Sequence, residues 1–129
     1  DVNRVRAGFP HIWRALTTIQ YTLPGVPMIY CGQEIGETDR FFVDWERGDQ
    51  ETRGFHVALG RLLSRESLHH GRFVPVTVDD DSLCAFVRSA PGELAIVAAN
   101  FRDITVHAVL RLPMNEVSLA NADRRPRCT

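Results

Sequence analysis

One stretch of the sequence decides the fold: Leu23-Pro24-Gly25-Val26-Pro27-Met28-Ile29-Tyr30-Cys31-Gly32-Gln33-Glu34-Ile35-Gly36. Pro24 ends a preceding helix because proline cannot continue one, and Gly25 supplies a turn residue without a Cβ. The apolar run 28–30 is short and does not alternate with polar residues, which predicts a strand covered on both faces, as in a parallel sheet flanked by helices. In such α/β sheets the functional groups lie at the carboxyl ends of the strands, here at residues 30–36.

Helices are predicted on both sides of this strand. Phe9-Pro10 opens the first, and its apolar stripe consists of Ile12, Leu16, Ile19 and Leu23, widened by Trp13 and Ala15. Asp49 is the predicted N-cap of the second, which runs to about Arg65. The intervening loop, 37–48, is long and aromatic, and long ordered loops after a strand are usually functional.

The sequence changes period after Gly71. Four β-rich runs follow, at 73–78, 83–88, 94–99 and 104–112, separated by turn compositions such as Asp79-Asp80-Asp81-Ser82 and Ala90-Pro91-Gly92-Glu93. This spacing predicts an antiparallel meander, which is typical of a β-sandwich. The tail, 115–129, has a weak pattern, and we expect it to be loosely ordered.

Composition excludes several classes of partner. The net charge of −1 and the pI near 6.6 give no electrostatic reason to expect binding to nucleic acid or to an anionic membrane. The three cysteines are far apart and odd in number, which predicts neither a disulfide framework nor a zinc site and mildly favours a reducing, cytoplasmic compartment. No apolar run approaches the roughly 18 residues that span a bilayer.

The pattern Gly25-x-Pro27-x-x-Tyr30-x-Gly32-x-Glu34-x-Gly36 resembles the motif around the eighth barrel strand of the α-amylase family of glycoside hydrolases and transglycosidases. It has six fixed positions within twelve residues, so the match is specific. Two positions depart from the family: Gln33 stands where many relatives carry an acid, and Cys31 where an aromatic is common.

The resemblance implies a fold and a boundary. Residues 1–70 would be the last segment of a (β/α)8 TIM-type barrel, and residues 71–129 an antiparallel β-sandwich, which gives an α/β plus all-β chain. A whole barrel needs about 250 residues, so we expect a C-terminal fragment of a longer enzyme.

The resemblance also implies site residues. Asp1-Val2-Asn3-Arg4-Val5 is similar to the end of the family's Asn-His-Asp motif, which makes Asp1 the candidate stabiliser of the oxocarbenium-like transition state. Arg4, Tyr30 and Glu34 are the candidate substrate-binding residues, although for Tyr30 and Glu34 a structural role in the barrel rim is favoured over direct contact with sugar. In this family the nucleophile and the acid/base, about 5–5.5 Å apart in retaining enzymes, precede the region seen here.

Other motifs have plainer interpretations. The rings in 41–45 could stack on sugars, but filling the space between barrel and sandwich is favoured. The Asp79–Asp81 run is favoured as a hairpin turn over a calcium site, and His69-His70 as a solvated helix end over a metal site. The basic tail at 124–127 lacks interleaved aromatics, so nucleic-acid binding is not expected.

Three functions therefore remain. The first is a fragment, inactive alone, of a retaining enzyme that hydrolyses or transfers α-glucosidic bonds in α-glucans or oligosaccharides. The second is a non-catalytic structural or partner subunit of the same family, and the third is a carbohydrate-binding module. No metal or cofactor is predicted, and calcium is an option only for a full-length enzyme.

Overall fold

Helices precede strands along the chain, and a computed structural model describes residues 5–39 and 42–117. The helices are α1 (Val5–Gly8), α2 (Trp13–Thr22), α3 (Gln50–Leu62) and α4 (Glu66–His69), and a 3-10 helix (Gln33–Ile35) lies between α2 and α3. The strands are β1 (Arg72–Pro75), β2 (Thr77–Val78), β3 (Leu83–Ala90), β4 (Glu93–Asn100) and β5 (Leu110–Arg111).

The helix boundaries follow local chemistry. Asp49 is the N-cap of α3, and its carboxylate accepts a hydrogen bond from the Thr52 backbone N–H at 2.6 Å. Helix α2 stops at Thr22, immediately before Leu23-Pro24, as the proline predicts. Its start differs from the prediction, because residues 10–12 form a turn and the α-helix begins at Trp13.

The buried stripe of α2 is not the predicted one. The buried residues are Trp13, Thr17, Tyr21 and Thr22, whereas Ile12, Leu16 and Ile19 are only half-buried and Leu23 is exposed. Trp13 packs edge-on against Phe55 of α3, with the ring centroids 5.2 Å apart. The helix is thus turned so that its mixed polar face meets α3, and part of its aliphatic face remains open.

The predicted buried strand at 28–30 is not formed by the described residues. Residues 26–30 belong to no helix and to no sheet in the part of the chain that the structure describes. Val26 is 95% exposed and Met28 80% exposed. A strand is defined by pairing with a neighbour, and the described residues supply no parallel neighbour, so no barrel segment is formed.

The predicted antiparallel pairing is confirmed, but the meander is not complete, because the last strand pairs with β2 and not with β4. A three-stranded sheet has the order β1-β3-β4, and β2 pairs with β5 in a separate two-stranded sheet. Within the larger sheet, Val74 lies opposite Val87, and Val87 lies opposite Ile96. The last predicted strand is shorter than expected, since residues 105–109 lie outside any sheet. The sandwich and the boundary near Gly71 stay predictions.

The helices and the larger sheet share a core. Leu68 of α4, Phe86 of β3 and Val97 of β4 form one buried cluster, against which Ile19 of α2 packs. On the opposite face of the sheet, Val74, Val87 and Val117 form a second buried cluster.

A buried arginine connects the helical part of the chain to the larger sheet through hydrogen bonds. Arg88 of β3 is only 2% exposed. Its Nη1 donates to the carbonyl of Thr22 at the end of α2 at 2.8 Å, and its Nη2 and Nε donate to the carbonyl of Gly71 at 2.9 and 3.2 Å. Gly71 is also sterically confined, because a Cβ there would lie 2.0 Å from the carbonyl oxygen of Ser67.

Candidate functional site

The loop at 30–37 is built around two glycines with left-handed backbones. Gly32 has φ 86° and Gly36 has φ 68°, a conformation that disfavours other residues. Between them lies the 3-10 helix, and the backbone N–H of Gln33 donates to the carbonyl of Tyr30 at 2.8 Å. This tight turn fixes Tyr30 and Glu34 on one short loop, with Tyr30 46% exposed and Glu34 half-buried.

Two glutamine side chains hold the segment that leads into this loop. Gln33 is 4% exposed, and its Nε2 donates to Gln20 Oε1 of α2 at 2.6 Å. Gln33 Oε1 accepts from the Tyr30 backbone N–H at 3.3 Å, and Gln20 Nε2 donates to the carbonyl of Met28. The two amides thus bond to backbone groups of the segment that leads into the loop.

Beneath the loop lies a buried pair of ionisable residues. The Tyr21 hydroxyl of α2 and the His56 Nδ1 of α3 are 3.0 Å apart, and both residues are buried. Burial lowers the pKa of His56, and the nearby negative charge of Glu34 opposes this shift. Burial also raises the pKa of Tyr21, and Glu34 adds to that rise. Glu34 Oε2 is itself buried and has no hydrogen-bond partner among the described residues.

A second polar corner joins α1 to the start of α3. The Asp49 carboxylate accepts from the Thr52 hydroxyl at 2.6 Å and pairs with the guanidinium of Arg6. The hydrogen bonds from Thr52, followed by Arg6, lower the pKa of Asp49. Arg6 also lies 5.2 Å from the ring centroid of Trp13, a cation–π distance.

The loop between these corners borders an acidic cavity of about 450 Å³, lined among others by Glu37, Asp39, Asp44 and Asp49. Glu37 Oε1 accepts from the backbone N–H groups of Thr38 and Asp39 at 2.7 and 2.9 Å. Asp44 Oδ1 accepts from two further backbone N–H groups at 3.1 Å. These carboxylates therefore shape the loop, and no group of His, Cys, Asp and Glu among the described residues could hold a metal ion.

The aromatic side chains of this loop are not packed away. Phe42 lines the cavity and is 76% exposed, and Trp45 is 49% exposed. The favoured prediction that these rings fill a gap between two domains is therefore not met by the described residues. Phe41 lies outside them.

The predicted site residues fall into two groups. Asp1 and Arg4 lie outside the described residues. Tyr30 and Glu34 both lie on the loop at 30–37, and their role in substrate binding stays a prediction. Asp80 forms the expected turn, since its Oδ1 accepts from the Ser82 backbone N–H at 2.8 Å. His69 and His70 are exposed at the end of α4.

Sequence reasoning missed the residues that support the loop. Thr17 and Tyr21 on α2, and Thr52 and His56 on α3, each lie four positions apart and are all buried. Polar residues at helical spacing are easily taken for a solvent face. The signal that could have identified them is the pairing of a tyrosine with a histidine on two helices that flank the same loop.

Comparison with known proteins gives one informative match. No protein-family model matches the sequence, and no curated protein matches it. A solved structure of a cyclomaltodextrinase matches with a TM-score of 0.68 and 25% identity over 78% of this chain. The match covers 19% of the cyclomaltodextrinase, so this chain spans about a fifth of that neighbour's length.

This likeness favours a relationship with glycoside hydrolases of the α-amylase family, in agreement with the motif at 25–36. No helix in the described part of the chain is long and apolar enough to cross a membrane.

Proposed function

We propose that this chain is a segment of an α-amylase-type enzyme that acts by retention on α-glucosidic bonds of α-glucans or oligosaccharides. Its likeness to part of a cyclomaltodextrinase carries the proposal. In the complete enzyme, residues 28–30 form a barrel strand, and the sheet region belongs to a β-sandwich.

The exposed segment supports this role. Val26 and Met28 are strongly exposed, and the Ile29 backbone N–H and carbonyl have no hydrogen-bond partner among the described residues. An exposed apolar segment whose backbone is bonded by Gln20 at Met28 and by Gln33 at Tyr30 suits insertion beside another strand. The neighbouring strand would come from the rest of the enzyme.

Within that site, Tyr30 and Glu34 form part of the wall that contacts sugar, and Arg4 binds substrate. Asp1 stabilises the transition state, where a carboxylate supports the positive charge that develops at the anomeric carbon. The isolated chain does not catalyse, because the retaining mechanism needs a nucleophile and an acid/base on other segments.

A chimera tests this function. The matching fifth of a cyclomaltodextrinase is replaced by this chain, and release of reducing sugar from a cyclomaltodextrin is measured. We expect activity well above background for the chimera and none for the 129-residue chain alone. In the active chimera, Asp1→Asn should lower kcat by at least 100-fold, on the order of an electrostatic contribution lost from the transition state.

Two results contradict the proposal. The first is a chimera that folds, as judged by circular dichroism and a cooperative melt, yet has no activity, which favours the non-catalytic relative instead. The second is sugar release by the isolated chain. Matched variants with Asp81→Asn, at an exposed turn, control for effects of charge alone.

Carbohydrate binding without catalysis is a second candidate, favoured by the exposure of Phe42 beside the acidic cavity. Aromatic faces next to carboxylates suit sugar rings and their hydroxyl groups. Titration of the chain with maltohexaose, followed by tryptophan fluorescence and calorimetry, tests it. Loss of binding in Phe42→Ala with retention in Phe9→Ala, which alters another exposed ring, would support this candidate.

A further inference from the structure

Both backbone groups of Tyr30 are bonded to the same residue, Gln33. The Gln33 backbone N–H donates to the carbonyl of Tyr30 at 2.8 Å, and Gln33 Oε1 accepts from the Tyr30 backbone N–H at 3.3 Å. Gln33 is buried, with 4% of its surface exposed, whereas Tyr30 is 46% exposed. One buried residue therefore holds the N–H and the C=O of an exposed residue at the candidate site.

The side-chain amides of Gln33 and Gln20 form a directional chain of hydrogen bonds. Gln33 Nε2 donates to Gln20 Oε1 at 2.6 Å, and Gln20 Nε2 donates to the carbonyl of Met28. The chain begins at a main-chain donor, the N–H of Tyr30, and ends at a main-chain acceptor, the carbonyl of Met28. These two ends fix the orientation of both amides, because a main-chain N–H only donates and a main-chain carbonyl only accepts.

Each link of this chain needs a side chain that accepts at one end and donates at the other. A side-chain amide carries both a carbonyl oxygen and an NH2 group, so glutamine satisfies each position. An ionised carboxylate at position 33 would accept from Tyr30 but would face the acceptor Gln20 Oε1 without a donor. An apolar side chain would supply neither group. The chemical identity of Gln33 is thus tied to the position of Tyr30.

We propose that Gln33 is the positioning residue for Tyr30 and that it acts together with Gln20. The two amides tie the backbone of Met28 and Tyr30 to helix α2, which carries Gln20, so that Tyr30 is presented to the sugar at a fixed position. Neither glutamine contacts sugar in this role. The inference rests on the proposed function, in which Tyr30 is part of the wall of the substrate site.

Hydrogen exchange of individual backbone amides, measured by NMR on the 129-residue chain, tests the positioning without catalysis. Gln33→Met should speed exchange of the Tyr30 N–H by about fivefold or more, the equivalent of one lost hydrogen bond. The Gly36 N–H, which donates to the main-chain carbonyl of residue 33 at 3.1 Å, should change by less than about twofold. Gln50→Met, at an exposed position, should leave both amides unchanged. Equal acceleration at Tyr30 and Gly36, or unchanged exchange at Tyr30, would overturn the proposal.

Kinetics of the active chimera separate positioning from a loss of folded protein. Because Tyr30 would contact the sugar in both the ground state and the transition state, Gln33→Met should raise KM for a cyclomaltodextrin by about fivefold or more and leave kcat within about twofold. A smaller amount of folded enzyme would instead lower kcat at constant KM. That second result, or unchanged kinetics, would overturn the proposal.

A second variant, Gln33→Glu, tests the direction of the chain through pH. Its carboxyl group can donate to Gln20 Oε1 only when it is protonated, and burial raises the pKa of a carboxyl group above the usual value of about 4.3. The KM of this variant relative to the parent chimera should therefore fall as the pH is lowered from about 7.5 to about 5. A ratio that stays constant over this range would contradict the proposal. If the parent chimera is inactive, the proposed function fails, and the exchange experiment decides the positioning by itself.

Discussion

Replacement of the buried guanidinium of Arg88 by the methionine side chain, Arg88→Met, should destabilise the whole chain. The guanidinium donates to the carbonyls of Thr22 and Gly71, which belong to the helical part and to the start of the sheet region. Methionine fills a similar volume but donates no hydrogen bond. Because the two carbonyls are main-chain groups, they remain when the side chain is changed.

The magnitude follows from two opposing effects. Each buried acceptor left without a donor costs about 1–3 kcal/mol, so two carbonyls cost about 2–6 kcal/mol. The variant also no longer buries a charge, and burial already lowers the pKa of Arg88. This relief is limited, because a guanidinium is weakly hydrated and the carbonyl end of α2 favours a positive charge. We expect a net loss of about 2–3 kcal/mol.

Urea unfolding followed by circular dichroism measures the loss. With a slope of about 1–3 kcal/mol per molar urea, the midpoint should fall by roughly 1–2 M. Arg88→Lys keeps a charge but cannot span both carbonyls, so it should lie between the parent and Arg88→Met. Arg111→Met, at an exposed position, should stay within about 0.5 kcal/mol. Our reasoning is refuted if Arg88→Met is as stable as the parent.

Three further predictions concern the candidate site. Burial lowers the pKa of His56, so the unfolded chain binds the proton more readily than the folded chain, and the free energy of unfolding should fall as pH drops below about 6.5. The variant His56→Gln should flatten the dependence of the free energy of unfolding on pH between about pH 7 and 5.5. An unchanged slope in this variant would contradict the prediction. Asp49→Ala should lower the free energy of unfolding, measured by thermal unfolding, by about 1–2 kcal/mol because the N-cap of α3 is lost. Asp81→Ala, at an exposed turn, should leave it almost unchanged. Gln33→Ala should lower the free energy of unfolding by about 1–2 kcal/mol, because it removes two hydrogen bonds at a buried position. If it lowers the free energy of unfolding no more than the exposed Gln50→Ala, the glutamine pair contributes little.

Local signals in the sequence predict local structure well. Asp49 is an N-cap because its carboxylate reaches the backbone N–H of Thr52, and that reach depends only on neighbouring residues. The hairpin at Pro91-Gly92 likewise needs only the turn and the two β-rich runs beside it. The 3-10 loop that carries Tyr30 and Glu34 follows from glycines at 32 and 36.

Features that depend on distant partners were predicted poorly. A strand at 28–30 requires a neighbouring backbone, and composition alone cannot supply one. The buried face of α2 depends on where α3 lies, so the choice between the Ile12 stripe and the Trp13 stripe is a tertiary one. The contact between Tyr21 and His56 joins residues 35 positions apart, a separation that no local pattern encodes.

The steric confinement of Gly71 bears on the recombination of related sequences. A Cβ at this position would meet the Ser67 carbonyl at 2.0 Å, while the carbonyl of Gly71 itself accepts from Arg88. Gly71 therefore packs closely against α4, which precedes it, and is hydrogen-bonded to β3, which follows it. Shuffled libraries that exchange sheet regions between homologues should keep α4, Gly71 and the arginine of β3 from one parent. A crossover between α4 and β3 would separate Gly71 from Ser67 or from Arg88, the residues that it contacts.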